Sequence, residues 1–571
     1  MKLAFSLALL AIAIAPARAA TPTTPDFGPN VLVFSPTTPA ADIQTQIDKV
    51  YATQRRNEFG PERNAILFLP GDYRVDVPIG FYTQILGLGV APDSVHITGN
   101  VHSDAASRNN NATTTFWRAA ENFSVAPTGG TMQWAVSQAA PFRRMHVHGD
   151  IVLNQNKGWA SGGWMSDTLV DGNVASGTQQ QWISRNSEWH SWTGSNWNMV
   201  FVGVPNPPEG EWPSPPYTKI AQTPIVREKP FLQVDSSGNY SILVPSLATN
   251  SSGITWHSGT TPGKAIPIAQ FYLAHPNRDN AATINAQLAK GKNLILTPGI
   301  YELTEPIHVV RPNTVVLGLG FATLRPVNST AAITTADADG IIISGLLIDA
   351  GPTESPVLLQ VGPKQNKVSH AKNPISLHDV FFRVGGAGVG RAIVNLEINS
   401  NDTIVDHTWI WRADHGAGVG WTSNTSQNGL VVNADNVTIY GLFVEHHQQF
   451  QVLWNGNAGR TYFYQSEIPY DPPDQPSYTS APNTSGWASY KVANSVTSHE
   501  AWGLGIYSVF RHPDVTLTRA IEVPVNPNVR FHDMITVALD DKGEISNVIN
   551  DTGGPTSVAP HRVTPKVTIY P

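Results

Sequence analysis

The chain contains no cysteine. That excludes disulfide scaffolds, zinc–thiolate sites, iron–sulfur clusters and a cysteine nucleophile. Charge is scarce as well: Asp, Glu, Lys and Arg make up 14% of 571 residues, against roughly 25% in an ordinary globular protein. The 36 Lys+Arg fall short of the 43 Asp+Glu and leave a formal net charge of −7. No basic surplus exists to neutralise phosphates, so the composition argues against nucleic-acid binding. Long hydrophobic runs are missing too. The apolar stretch from Leu3 to Ala15 is too short to span a bilayer, and no later segment is long enough. What is present is an apolar fraction of 41%, enough to build a sizeable core and to argue against disorder.

The apolar stretch follows Met1-Lys2 and precedes Ala17-Arg18-Ala19, a small-residue cleavage pattern. Residues 1–19 therefore read as a signal peptide, and the mature chain is expected outside the cell. N-x-S/T sequons begin at Asn111, Asn122, Asn239, Asn250, Asn328, Asn401, Asn424, Asn436, Asn483 and Asn550, in keeping with a glycoprotein from a eukaryotic secretory host. An exported chain without disulfides depends on its core, which favours a large, regular hydrogen-bonded architecture.

An internal repeat organises the chain. Residues 64–89 (NAILFLPGDYRVDVPIGFYTQILGLG) and 293–320 (NLILTPGIYELTEPIHVVRPNTVVLGLG) share an apolar strand, a Pro-Gly-x-Tyr turn and a strand closing on Leu-Gly-Leu-Gly. Pro70 and Pro298, Gly71 and Gly299, and Tyr73 and Tyr301 are each 228 residues apart. A helical pattern precedes each copy, from Ile43 to Arg55 and from Ala281 to Ala289. A repeat this long marks a duplicated domain rather than a short solenoid unit. The expected organisation is an N-terminal domain over 26–249, a linker over 250–272 whose Pro/Ser/Gly/Thr-rich part is Asn250–Lys264, and a C-terminal domain over 273–560. Inside each copy, short Val-, Ile- and Thr-rich strands such as GIIISGLLI (340–348) and NVTIYGLFV (436–444) alternate with Asn, Asp and Gly turns. With almost no helix between them, the pattern predicts an all-β fold of two right-handed parallel β-helices, each capped by its short helix. A β-sandwich or propeller is the alternative from pattern alone.

Aromatics cluster at Trp159, Trp164, Trp182, Trp189, Trp192 and Trp197, and again at Trp409, Trp411, Trp421, Trp454, Tyr462, Tyr464 and Tyr470. About half are expected in the core and the rest as flat platforms for sugar rings. The Gly-rich stretch GWASGGW marks Trp159 and Trp164 as exposed. Glu445 and Glu467 each end an apolar strand, 22 residues apart, close to one coil of a β-helix. Equivalent positions on stacked coils sit about 4.8 Å apart. Two carboxylates that close cannot both ionise freely, so one holds its proton near neutral pH, as a general acid for glycosidic cleavage requires. Two solvated strand-end glutamates are the bland alternative. The His446-His447 and His499-Glu500 pairs lack any metal-ligand spacing, so no metal or cofactor is expected.

The tandem organisation, WIWRADHGAGVGW (409–421), FVEHHQQFQVLWNGNAGRTYFYQSEIPY (443–470) and NSVTSHEAWGLGIYSVF (494–510) resemble glycoside hydrolase family 55. WAVSQAAPFRRMH (134–146) and NSEWHSWTGSNWNMVF (186–201) extend the likeness over nearly the whole mature chain, and it is closest to the compact bacterial-type branch. The resemblance implies two pectate-lyase-like β-helices side by side. It implies an inverting exo-β-1,3-glucanase that releases glucose from the non-reducing end of laminarin-type glucans. By resemblance Glu467 is the general acid and Glu445 the second acidic residue, which helps hold the attacking water and keeps the acid's pKa up. Trp411 and Tyr470 contact the sugar at the cleavage point. Inverting enzymes separate acid and base by roughly 6.5–9.5 Å. One coil is shorter than that, so the resemblance points to first-domain side chains, Gln138 and Ser161, to position the water. This puts the site in a cleft between the domains. Trp164 and Asp414 are further candidates for sugar contact.

Two other readings remain at this level. A different β-helix enzyme, a polysaccharide lyase or α-glucan hydrolase, is one; a lyase would want a Ca²⁺ site and a Lys or Arg base. A non-catalytic glycan-binding wall protein is the other. The expected partner is a β-1,3-glucan, with no nucleic acid and no membrane, and the chain is expected to be a monomer.

Overall fold

The computed structural model describes residues 24–105, 108–365, 368–558 and 562–571. The signal-peptide reading over 1–19 lies outside the described residues. Among those described, no helix is long and apolar enough to cross a membrane.

The C-terminal half is built from coils that each lend a strand to two sheets. One sheet stacks Phe271–Ala274, Asn293–Leu296, Val315–Pro326, Ile342–Asp349, Ser376–Val384, Ile404–Arg412, Thr438–Glu445, Gly459–Glu467, His499–Ser508 and Val529–Ala538 in parallel, and Lys566–Tyr570 closes it antiparallel. The second stacks Ile307–Val309, Ile333–Thr335, Ser355–Val361, Ala392–Ile398, Ser426–Val432, Val452–Trp454, Tyr490–Val492 and Ile521–Glu522. Chain order equals stacking order in both, which defines a parallel β-helix. Its interior is a continuous apolar column that includes Leu294, Val316, Ile343, Leu377, Ile410, Leu442, Tyr464 and Leu504. The N-terminal half repeats the plan with a 15-stranded sheet whose main path runs from Val31–Phe34 to Tyr217–Ile220. Its core holds Phe34, Ile66, Ile85, Phe123, Met145 and Phe201.

The sequence repeat has a physical cause. Tyr73 donates its hydroxyl to the carbonyls of Phe34 and Leu69, and Tyr301 donates to those of Ala274 and Thr297. In each copy the buried tyrosine satisfies carbonyls at the first turn of the helix. Gly71 and Gly299 have φ of +140° and +153°, and a Cβ would come within 2.7 Å of Pro36 and 2.4 Å of Pro276. The helices Ala40–Gln54 and Ala281–Ala289 cover the open ends with Ile43 and Ile47, and with Ile284 and Leu288.

The segment 250–272, read as a linker, carries strand structure. Leu247–Ser251 pairs antiparallel with Thr223–Arg227, and Gly263–Pro267 pairs antiparallel with Tyr240–Pro245. Two sequons are internal: Asn122 and Asn424 are buried, and their amides donate to the carbonyls of Gly87 and Gly89, and of Val384 and Ala413.

The two β-helices meet face to face. Leu347, Phe381, Trp409, Phe443 and Tyr462 of the second pack against Phe116, Trp117, Trp164, Ile183 and Val200 of the first. Strands such as Ile404–Arg412 are therefore buried on both faces. Buried charges cross this interface in pairs. Arg143 holds Asp379 through two hydrogen bonds of 2.8 Å and Asp406 through one of 2.8 Å. Arg185 bonds Asp406 and Glu228, and Lys229 bonds Glu121 and Asp379.

Candidate active site

The strand register brings the sequence-predicted acids together. Trp411 pairs with Glu445, Glu445 with Glu467, and Glu467 with Tyr507, on four consecutive coils. Adjacent strands lie about 4.7–4.9 Å apart, so the carboxyl-bearing Cα atoms are neighbours across one hydrogen-bonded step. Both glutamates end their strands, where the chain turns away and opens space above the row. That space is a cavity of about 230 Å³.

Glu445 is 3% exposed. Its Oε1 accepts from the Gln138 side-chain amide at 2.8 Å, and its Oε2 accepts from the Trp409 indole N–H at 2.9 Å. Burial, and then the neighbouring Glu467 charge, push its pKa well above the ordinary glutamate value. Glu467 is the more open of the two. Burial raises its carboxyl to about 7, with Asp414 adding to the rise, while the hydrogen bond donated by the Tyr470 hydroxyl to Oε2 opposes it. The pair thus retains a proton at neutral pH, and because the two carboxyls are neighbours their titrations are linked.

A second charged group faces this pair. Asp414 lies beside His415, with Oδ1 and Nδ1 2.9 Å apart, and Nε2 of His415 meets Glu58 of the first domain at 2.8 Å. Burial lowers the affinity of His415 for its proton, but the two carboxylates outweigh it and raise its pKa to about 10. Burial likewise works against charge on Asp414, and the hydrogen bond and charge of His415 and the charge of His446 overcome it, leaving a pKa of about 2. His446 Nε2 stands 3.9 Å from both Asp414 and Glu467, and the Tyr470 ring packs edge-on against its imidazole.

Seven of the eight predicted site residues line this one cavity: Glu467, Glu445, Gln138, Ser161, Trp411, Tyr470 and Asp414. Gln138 Nε2 also reaches the Ser161 hydroxyl at 3.4 Å, so a first-domain pair sits directly on the second-domain acid. Trp411 lines the cavity from a buried position, stacked between Trp409 (4.8 Å) and Phe59 (6.2 Å). Trp164 is the exception. Expected as an exposed sugar contact, it is 0% exposed and stacks on His407 at 5.0 Å and 3° inside the interface. Its indole N–H donates to Ser166 and the Arg143 guanidinium lies over its ring. The glycines before it do not free it: a Cβ at Gly163 would strike Trp182 at 2.1 Å. Trp159, by contrast, is 48% exposed and stacks with Trp197.

Further residues line the cavity without having been predicted: Thr113, Thr114, Phe116, Gln180, Trp409, His415, His446 and Leu539. Trp409 and His415 belong to the segment WIWRADHGAGVGW, but nothing local distinguishes an indole aimed at a carboxylate from one in the core.

Two stacked β-helices with a paired, proton-retaining carboxyl site in the cleft between them define a polysaccharide-cleaving hydrolase of the glycosidase kind. The LAM55 pectate lyase-like domain family matches residues 271–467. The chain is 49% identical over 535 residues to the exo-β-1,3-glucanase of Streptomyces sp. SirexAA-E, covering 93% of this chain and 88% of that one. It is 25% identical over 313 residues to a glucan 1,3-β-glucosidase of Cochliobolus carbonum, covering 46% and 38% respectively. The solved structure of sacteLam55A from the same Streptomyces superposes with a TM-score of 0.93 at 47% identity, covering 96% of this chain and 99% of that one. A variant of that protein in complex with glucose superposes at 0.94. The chain belongs to glycoside hydrolase family 55.

Proposed function

We propose that the protein is an exported exo-β-1,3-glucanase that removes glucose from the non-reducing end of laminarin-type glucans with inversion. The observation that carries this reading is the Glu445–Glu467 step on adjacent coils, roofed by Gln138 and Ser161 of the other domain. Glu467 protonates the glycosidic oxygen as the C1–O bond breaks. A water held by Gln138 and Ser161 attacks C1 from the opposite face, and its proton is relayed through those two side chains to Glu445, which lies too close to Glu467 to act across the ring itself. Trp411 and Tyr470 hold the sugar, and Asp414 supplies an acceptor for its hydroxyls. The product has α configuration.

The cavity of about 230 Å³ is smaller than the roughly 300–1,000 Å³ of pockets for larger ligands and suits a single terminal sugar. This supports exo action, as do the names of the relatives. Among the described residues, its lining includes no Lys or Arg, the base a lyase would use on an acidic polymer, so hydrolysis is favoured. The leader-like residues 1–19 support an extracellular site of action.

Proton NMR of fresh laminarin digestion tests the reading. Early α-glucose from the wild type and none from Glu467→Gln is the expected result. Early β-glucose would refute inversion. Oligosaccharides without glucose would refute exo action, and no soluble sugar would refute glucanase activity.

A further inference from the structure

Away from the cleft, the first domain carries a cluster that the hydrolytic reading does not use. His146 and His148 stand two apart on one coil, at the end of the strand Pro141–Val147, so both rings project to the same side. Their ring centroids are 3.9 Å apart. Asp93, in the short turn Pro92–Ser94, reaches over them: its Oδ1 lies 2.7 Å from His146 Nδ1 and 3.9 Å from His148 Nε2. One donor atom from each of the three lies within 4.8 Å of the other two.

The opposite nitrogens of both imidazoles are also occupied. Asp171, on the neighbouring coil, places Oδ1 3.0 Å from His146 Nε2 and Oδ2 2.9 Å from His148 Nδ1. One carboxylate thus orients both rings from behind while another closes the front. Metal-binding histidines are held in this way, with the far N–H donated to an outer carboxylate that fixes tautomer and ring direction. The Asp93 side chain is 54% exposed, which leaves the front open to solvent and to an incoming ion.

We propose that Asp93, His146 and His148 bind a divalent transition-metal cation of the zinc type, with Asp171 as the outer carboxylate. Two imidazole nitrogens and one carboxylate oxygen suit Zn²⁺ and its neighbours rather than Ca²⁺ or Mg²⁺, which take oxygen ligands. Three protein donors leave a further position to water. None of the four residues lines the catalytic cavity, so the ion is structural. It ties the Pro92–Ser94 turn to two coils of the first domain, and stabilises the fold because it binds the folded chain and not the unfolded one.

The test uses untagged full-length protein stripped with EDTA, titrated with Zn²⁺ by calorimetry and with Co²⁺ by visible absorption. One equivalent, a cobalt d–d band typical of mixed nitrogen and oxygen ligation, and a Zn²⁺-dependent rise in melting temperature are expected. His148→Gln and His146→Gln should abolish the band while laminarin hydrolysis stays unchanged. Asp171→Asn should keep it and weaken affinity roughly 10–100-fold, the effect of losing an outer partner. If His146→Gln fails to fold, the more exposed His148→Gln decides. No saturable binding, or binding unaltered in His148→Gln, overturns the proposal.

Discussion

Burial leaves the Glu467 carboxyl at about 7 rather than near 4.5, the range that its proposed role as general acid needs. Glu467→Gln removes the acid and should lower kcat on laminarin by about 10²–10⁴-fold, the usual contribution of general acid–base catalysis. Tyr470 opposes the upward shift by donating to the carboxylate. Tyr470→Phe should therefore raise the Glu467 pKa and move the alkaline limb of kcat/KM to higher pH. A limb that stays or moves down would show that another group sets it. The same shift has a stability cost of definite sign. Because the folded state holds this proton more tightly than the unfolded chain, stability falls as pH rises from about 4.5 to about 7. Melting curves of Glu467→Gln should lack that component of the fall. At this scale the sequence was informative where spacing carried the signal, since 22 residues equal one coil and place two strand-end acids together. It misled at Trp164, where the preceding Gly162 and Gly163 serve close packing against Phe443 and Trp182 and not exposure. It was silent on Glu58, which reaches His415 across 357 residues of chain, and on Asp93 and Asp171, which join the His146–His148 pair only when the coils stack.

Strands in both domains share a feature that no local rule reveals. Gly345, Asp379, His407, Gly441, Phe463, Gly503 and Asp533 all have positive φ and occupy equivalent positions on successive coils, as do Asn122, Arg144, Asp167 and Asn186 in the first domain. Each such residue bends its strand at the same level. A left-handed non-glycine residue costs about 1–2 kcal/mol; the first-domain column is held by Thr255, Thr261 and Ser251, and the second-domain column by the first domain packed onto it. Asp379 takes its two bonds from Arg143 there, and His407 its stack on Trp164. The alternating strands, the Pro-Gly-x-Tyr turns and the capping helices were legible because each has a local cause. This column was not, because phenylalanine and histidine carry no turn signature. Gly441 is the informative position: φ is +62° and a Cβ would lie 2.5 Å from Trp164. Gly441→Ala adds the left-handed penalty to an overpacking cost of about 1–3 kcal/mol. It should destabilise the protein by about 2–5 kcal/mol in urea unfolding and lower kcat, because the same strand carries Glu445. A neutral variant would mean that the domains part easily at this point.

The duplication has a use in the proposed mechanism, since the candidate cavity is lined from both helices. The second domain carries both acids and the first supplies Gln138 and Ser161. The contact between them is built from groups that cannot stand alone. Asp406 is buried and accepts from both Arg143 and Arg185. Their positive charges hold its pKa far below the ordinary value against the opposing effect of burial. Asp406→Asn leaves two guanidiniums short of a counter-charge, and breaking a buried pair in this way costs about 3–5 kcal/mol. Separating the domains has a different outcome. Water would resolvate Asp379 and Asp406, so charge is not the obstacle for residues 271–571 alone. The obstacle is the sheet face bearing Leu347, Phe381, Trp409, Phe443 and Tyr462, which the first domain covers. That face is a contiguous apolar surface of the kind that soluble monomers rarely expose. The isolated domain should therefore bind a hydrophobic dye strongly and elute as aggregate in size-exclusion chromatography, although the family match at 271–467 lies wholly within it. A monomeric, dye-silent fragment would show that the second β-helix is a folding unit in its own right. The interdomain face would then contribute catalysis without contributing solubility.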